Sequence, residues 1–176
     1  MKKLNVLSAL LVLASCSSVQ ITSDYDRNAE FGKYKTYAFS EETMQMPIDQ
    51  LNRDRMIAAT EAELAAKGFT KSDQPDMIVD LRVKAETRTE ATATNMGGYY
   101  GRYGWAGGMG TTTINYNEYT DGTLFITFID MGAQKIFWQG RGVKTIDENA
   151  SAEQREKNIN YVVKSIMAKY PPQIKK

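Results

Sequence analysis

The stretch PDMIVDLRVKAETRTEATAT, Pro75 to Thr94, decides the fold because its side chains change character with a period of two. Val79, Leu81, Val83 and Ala85 point one way, while Asp80, Arg82, Lys84 and Glu86 point the other. That is the pattern of a strand with one buried and one wet face. From Thr87 the alternation continues in threonine, alanine and charge, with no large apolar residue until Met96. The strand is therefore expected to outrun the core and project into solvent.

The next segment is NMGGYYGRYGWAGGMG, Asn95 to Gly110. Half of Gly97–Gly110 is glycine, and Tyr99, Tyr100, Arg102, Tyr103 and Trp105 supply most of the rest. A P-loop needs Gly-x4-Gly-Lys-Ser/Thr, and the segment holds no lysine. A dinucleotide site needs Gly-x-Gly-x-x-Gly between a strand and a helix, and that pattern does not occur. Arg102 is the only charge, which is too little for a groove that stacks single-stranded nucleic acid. Tyrosines and a tryptophan on a hairpin arm suit contact with an envelope protein, a cell-wall glycan or membrane headgroups. The glycines alone also account for an insert that only permits a long turn.

Downstream, TTTINYNEY resumes β-rich chemistry, and Thr120-Asp121-Gly122-Thr123 carries the two-residue signal of a hairpin turn. LFITFID is apolar on both faces and belongs centrally in a sheet. In KIFWQGRGVKTI, Gly140 and Gly142 fall on the face of Ile136 and Trp138. Two glycines on one face mark a bulge, or room for a helix or ring against the backbone. The last element is a helix. Ser151 with Gln154 forms a capping box, Ile159, Val162, Val163, Ile166 and Tyr170 repeat at helical spacing, and Pro171-Pro172 end it.

Upstream, Pro47 to Gly68 reads as a helix with Pro47 in its first turn. Its apolar stripe is Ile57, Leu64 and Ala58, Ala62, Ala65, and Gly68 supplies a left-handed cap. SDYDRNAEFGKYKTYAFS holds two short strands around a turn. Strands and helices do not alternate strictly, so the expected fold is α+β. It has a mainly antiparallel sheet of about five to six strands, with two helices packed on one face.

At the N-terminus, Lys2 and Lys3 precede an apolar run, Val6–Leu13, too short to span a bilayer. It ends in Leu13-Ala14-Ser15-Cys16, which resembles the lipobox of bacterial lipoproteins. That resemblance implies a signal peptide over residues 1–15, a diacylglyceryl thioether on Cys16 and a lipidated tether over 16–23. Cys16 is the only cysteine in the chain, and thioether formation would remove an unpaired thiol from an oxidising compartment. Cleavage removes Lys2 and Lys3 and takes the formal charge from +1 to −1, which argues against nucleic acid as a partner. Ser17 follows the cysteine without an acidic cluster. By analogy with lipoprotein sorting, this fits the periplasmic leaflet of the outer membrane. Residues 24–176 have the size of a single domain, with the Gly/Tyr-rich hairpin insert at 95–110.

Together the lipobox, DYDRNAEFGKYKTYAF, AAKGF, PDMIVDLRV, the Gly/Tyr insert, KIFWQGRG and the closing Tyr170-Pro171-Pro172 resemble the bacterial lipoprotein family known as domain of unknown function 4136. The resemblance covers nearly the whole mature chain. It implies a lipidated envelope domain, with no established chemistry and no catalytic residues to carry over.

The chain has no histidine, which removes the commonest general base and most zinc and haem ligation. Carboxylate pairs such as Asp80 with Asp130, or Glu86 with Glu118, could hydrolyse a glycosidic bond. On a wet strand face, however, cross-strand ion pairing is their expected role. Asp24, Asp26, Asn28 and Glu30 alternate in the manner of calcium ligands, but without the glycine and final glutamate of an EF-hand. A turn stabilised by Asp and Asn accounts for them equally. The expectation is a non-enzymatic, lipid-anchored periplasmic lipoprotein of the outer membrane, an interaction or envelope-maintenance module with no cofactor or metal. The alternatives are a carboxylate-based envelope hydrolase and a carrier of a small apolar ligand between helices and sheet.

Overall fold

A computed structural model describes residues 19–95 and 112–173. The strands are β1 (Gln20–Tyr25), β2 (Thr36–Phe39), β3 (Thr70–Lys71), β4 (Met77–Asn95), β5 (Thr112–Asp130) and β6 (Lys135–Thr145). The helices are α1 (Glu41–Met44), α2 (Gln50–Ala66) and α3 (Ala152–Met167). The strands form one mixed sheet in the order β1-β6-β5-β4-β2-β3. β1, β6, β5 and β4 pair antiparallel, whereas β2 runs parallel to both β4 and β3. Among the described residues the protein is thus an α+β domain with six strands and three helices.

β4 and β5 are the axis of this sheet. They pair without interruption from Met77 opposite Asp130 to Asn95 opposite Thr112. At the inner end, Met77, Val79 and Leu81 meet Leu124, Ile126 and Phe128, and all six are buried. The alternation read from Pro75–Thr94 is correct there, and LFITFID is central as expected. From Glu86 outward on β4, and from Glu118 outward on β5, every described side chain is exposed.

Three expectations about β4, β5 and β6 are corrected. Asp121-Gly122 is not a turn: both residues lie inside β5, opposite Glu86 and Ala85 on one side and Thr145 and Lys144 on the other. The Asp121 carboxylate is held by Arg88 Nε at 3.0 Å and Thr145 Oγ1 at 2.7 Å. Gly122 makes room for Ile146, whose carbons would lie 3.1 Å from an added Cβ. The turn after β5 instead falls at Met131–Gln134, where Gln134 takes a φ of 52°. Ile136 does not share the environment of Trp138. A β-bulge shifts the register from Phe128–Trp138 to Ile129–Ile136, leaving Phe137 as the extra residue that reverses the facing. Phe137 and Trp138 are both buried and Ile136 is 56% exposed.

Asp80 is the third correction. It is only 3% exposed, because α1 and its cap cover this part of the supposedly wet face. Ser40, the N-cap of α1, donates to Asp80 Oδ1 at 2.6 Å, and Thr43 Oγ1 accepts the Leu81 N–H at 2.8 Å. Arg82 Nε completes the carboxylate's bonding at 2.7 Å. The charged residues farther along β4 pair mainly along the strand, Lys84 with Glu86 and Arg88 with Glu90, rather than directly across it.

β1 begins at Gln20, so it takes in the second half of the span read as a tether. α2 begins at Gln50, with Asp49 rather than a proline turn at its start; the Asp49 carboxylate accepts the Asn52 N–H at 3.0 Å. Its buried side is Ala59, Thr60 and Leu64, while Ala58, Ala62 and Ala65 are exposed. Gly68 does cap it, at φ 85°. Gly68 N–H bonds the Ala65 carbonyl and Phe69 N–H the Leu64 carbonyl, which is a Schellman ending. α3 starts as expected, with Ser151 Oγ accepting the Gln154 N–H.

The two glycines of β6 have the predicted purpose. A Cβ on Gly140 would collide with Ile166 and come within 2.5 Å of the Trp138 ring; one on Gly142 would sit 2.9 Å from Ile166 and 3.0 Å from Val162. α3 therefore rests on bare backbone. Around it an aromatic cluster closes the core. Tyr34 stacks on Phe137 with centroids 3.9 Å apart, and Tyr170 meets Phe128 and Trp138 edge to face. Within the described residues Tyr170 Oη and Trp138 Nε1 are buried without a hydrogen-bond partner.

Candidate functional site

Two features have more surface than folding requires, and both lie toward the outer end of β4 and β5. The first is the two-stranded ribbon. β6 stops pairing at Asp121 opposite Thr145, so among the described residues 87–95 and 112–120 pair with each other, save that the Thr120 carbonyl also accepts the Ile146 N–H at 2.8 Å. Nine residue pairs at about 3.4 Å per residue give a projection of roughly 30 Å. One face continues the buried face of the sheet. It carries Thr87, Thr89, Ala91 and Ala93 opposite Thr120, Glu118, Tyr116 and Ile114. Tyr116 is 69% and Ile114 52% exposed. The other face is polar, with Arg88, Glu90, Thr92, Asn115, Asn117 and Tyr119; the Arg88 guanidinium lies 5.6 Å from the Tyr119 ring centroid.

The second feature is a groove of about 410 Å³ at the root of this ribbon. Met56 of α2, Ile159 and Val162 of α3, Val83 of β4, Leu124 of β5 and Ile146 supply its apolar lining. Its rim is polar and bonded to itself: Lys144 donates to Asn158 at 2.8 Å, and Arg155 to the Glu148 carbonyl at 3.1 Å. The volume falls in the range of small-molecule sites.

A smaller hollow of about 240 Å³ on another part of the sheet is lined by both Asp80 and Asp130. Each carboxylate is already engaged. Asp130 accepts from Lys33 Nζ at 2.5 Å, Tyr34 Oη at 2.9 Å and Ala133 N–H at 2.8 Å. These bonds, the lysine first, hold it well below the usual carboxylate range. That is opposite to the raised value a general acid needs. Glu86 is bonded to Lys84, which lowers its pKa. The register puts Glu86 and Glu118 on opposite faces of the ribbon, so the second suggested pair is not brought together. In the DYDRNAE stretch, Asp24 accepts the next residue's N–H and Asp26 that of Asn28 at 2.8 Å. Those are turn bonds of the kind Asp favours.

Cys16, Tyr99, Tyr100, Arg102, Tyr103 and Trp105, the residues singled out from sequence, lie outside the described residues. Sequence reasoning passed over Ile114 and Tyr116 because the supposed turn at Asp121-Gly122 cut β5 in two. The signal that would have found them is the matched length of β-rich chain on either side of the glycine segment. The groove had no linear signal, since its lining comes from separate elements.

A six-stranded sheet with helices, drawn out at one end into a ribbon, defines this as an α+β domain with a projecting hairpin. The chain belongs to the family described as domain of unknown function (DUF4136), whose profile matches residues 21–172. No curated protein matches it. Among solved structures it is similar to a PDZ domain protein from Parabacteroides distasonis, at 18% identity and a TM-score of 0.57. That likeness covers 90% of this chain but only 37% of the other. It is also similar to the PelC dodecamer from Paraburkholderia phytofirmans, at 10% identity and a TM-score of 0.50, over 86% of this chain and 96% of the other. At these identities the likeness is one of fold. Among the described residues no helix is long and apolar enough to cross a membrane.

Proposed function

We propose that the protein is a non-enzymatic, lipid-anchored periplasmic lipoprotein of the outer membrane, serving as an interaction or envelope-maintenance module. The observation that carries this reading is the ribbon. Its side chains add nothing to the core, yet its far end presents Ile114 and Tyr116 to solvent, and exposed apolar surface of this kind marks contact sites. The Leu13-Ala14-Ser15-Cys16 sequence supports the anchor, and β1 starts only four residues after that cysteine. Two long helices on one sheet face form the rest of the module, a packing supported by α3 seated on Gly140 and Gly142 and by the core shared with Leu64 of α2. The engagement of Asp80 and Asp130 in structural bonds favours this reading over a carboxylate hydrolase. Replacing Cys16→Ala tests it: the protein is expected in the soluble periplasmic fraction, and continued recovery with membranes would contradict the anchor.

The groove favours a second reading, a carrier of a small apolar ligand. A fluorescent fatty acid should then bind the intact protein, and Ile159→Trp should displace it by filling the lining. Equal binding by both proteins would remove this reading.

A further inference from the structure

The sheet register fixes where the chain leaves the fold, and it is the end from which the ribbon projects. Gln20, the first residue of β1, pairs with Val143, two residues before β6 ends at Thr145. Thr145 lies opposite Asp121, and among the described strands only β4 and β5 continue beyond that point. Four residue steps from Cys16 to Gln20 reach at most about 14 Å when fully extended. The ribbon, at roughly 30 Å, is about twice as long. A bilayer that holds Cys16 is therefore within the ribbon's reach.

We propose that the ribbon lies on that lipid surface with Ala91, Ala93, Ile114 and Tyr116 against it. This rests on the anchored reading above and names the partner of the ribbon as the membrane itself. The chemistry of the two faces sets the orientation. The outer part of the apolar face carries no charge, and Glu118 is set back toward the root. Arg88 and Glu90 are confined to the opposite face, where they bond each other. A tyrosine beside aliphatic residues suits the level of the lipid headgroups. The same backbone sets the depth. Among the described residues, 87–95 and 112–120 have no strand on their outer sides, and unpaired N–H and C=O groups are not tolerated in hydrocarbon. The ribbon must rest at the interface rather than insert.

The experiment uses the full lipidated protein in phosphatidylethanolamine–phosphatidylglycerol vesicles. With Cys16 in a thioether, a thiol introduced by Tyr116→Cys is the only one available to a fluorescent label. A label introduced through Asn117→Cys reports on the opposite face, and Ala91→Cys repeats the apolar-face measurement on the neighbouring strand. Labels at Tyr116→Cys and Ala91→Cys should be quenched severalfold more by headgroup-spin-labelled lipid, and less by aqueous iodide, than the label at Asn117→Cys. Equal access of iodide to all three would overturn the proposal and leave a protein or glycan as the ribbon's partner. A mass spectrum of the same sample separates the two failures. An unmodified Cys16 removes both the anchor and the proposal, whereas an acylated chain with iodide-accessible apolar-face labels removes the proposal alone.

Discussion

β5 is one strand with two halves that obey different rules. Between Thr123 and Asp130 it lies between β6 and β4, and Ile126 and Phe128 are completely buried. Between residues 112 and 120 it keeps the same partner and the same alternation, yet its described side chains reach solvent. Backbone pairing continues where the core stops. What differs is the source of stability. The inner half gains from apolar burial, at about 25 cal/mol per Å². The outer half has only cross-strand neighbours, each contributing roughly 0.2–1 kcal/mol. An isolated two-stranded hairpin is marginal in water, so the outer half depends on the inner half to hold its register.

The sharpest way to break this contrast is to truncate one aromatic in each half and measure chemical denaturation. Phe128→Ala should cost about 3–5 kcal/mol, because its ring meets Phe137, Trp138 and Tyr170 and the void cannot collapse around them. On the same strand Tyr116→Ala should change stability by no more than about 0.5 kcal/mol. A loss of several kcal/mol at Tyr116 would mean that the ribbon belongs to the core.

Gly140→Val is next in size. Ile166 and the Trp138 ring occupy the space its side chain needs, so a loss of about 1–3 kcal/mol or more is expected from overpacking. A thermal melt unchanged from the parent would show that α3 is not seated on β6.

Asp130→Asn should cost about 1–3 kcal/mol at neutral pH, since it removes charge-assisted bonds to Lys33 and Tyr34. The pH dependence follows from the sign. The folded pKa of Asp130 is depressed, so its stabilisation is fully present above the ordinary carboxylate pKa of about 4 and is lost as pH falls below that. The variant should show a flatter acid limb in urea midpoints measured against pH; an identical limb would dismiss the role of Asp130.

The smallest expected change has an unusual direction. The Tyr170 hydroxyl is buried without a partner among the described residues, and burial raises its pKa. Tyr170→Phe should therefore be neutral, or stabilising by up to about 1 kcal/mol. A clear loss would point to a hydrogen-bond partner for that hydroxyl.

Much of the inner half was legible in the sequence because its signals are local. Val79 and Leu81 alternate, Ser151 caps the start of α3 by accepting the Gln154 N–H, Gly68 ends α2, and Gly140 with Gly142 make room for a helix. The features that were missed depend on distant chain. Asp121-Gly122 has the chemistry of a tight turn, but pairing with β4 on one side and β6 on the other keeps it extended. The alternation of β6 misleads because one extra residue at Phe137 reverses the facing. Asp80 looks solvated until Ser40, forty residues earlier, is folded over it. The exposed pair Tyr116 and Ile114 depends on β5 being a single strand from Thr112 to Asp130.

We propose that this domain is held at a membrane through Cys16, four residues before the chain enters the sheet at Gln20 near the ribbon's root. The most direct measurement is an intact mass of the protein extracted from cell membranes, with fragmentation of its N-terminal peptide. The expected result is a chain beginning at Cys16 that carries a diacylglyceryl thioether and an acylated amine. A chain that retains Met1, or a free thiol on Cys16, would contradict it.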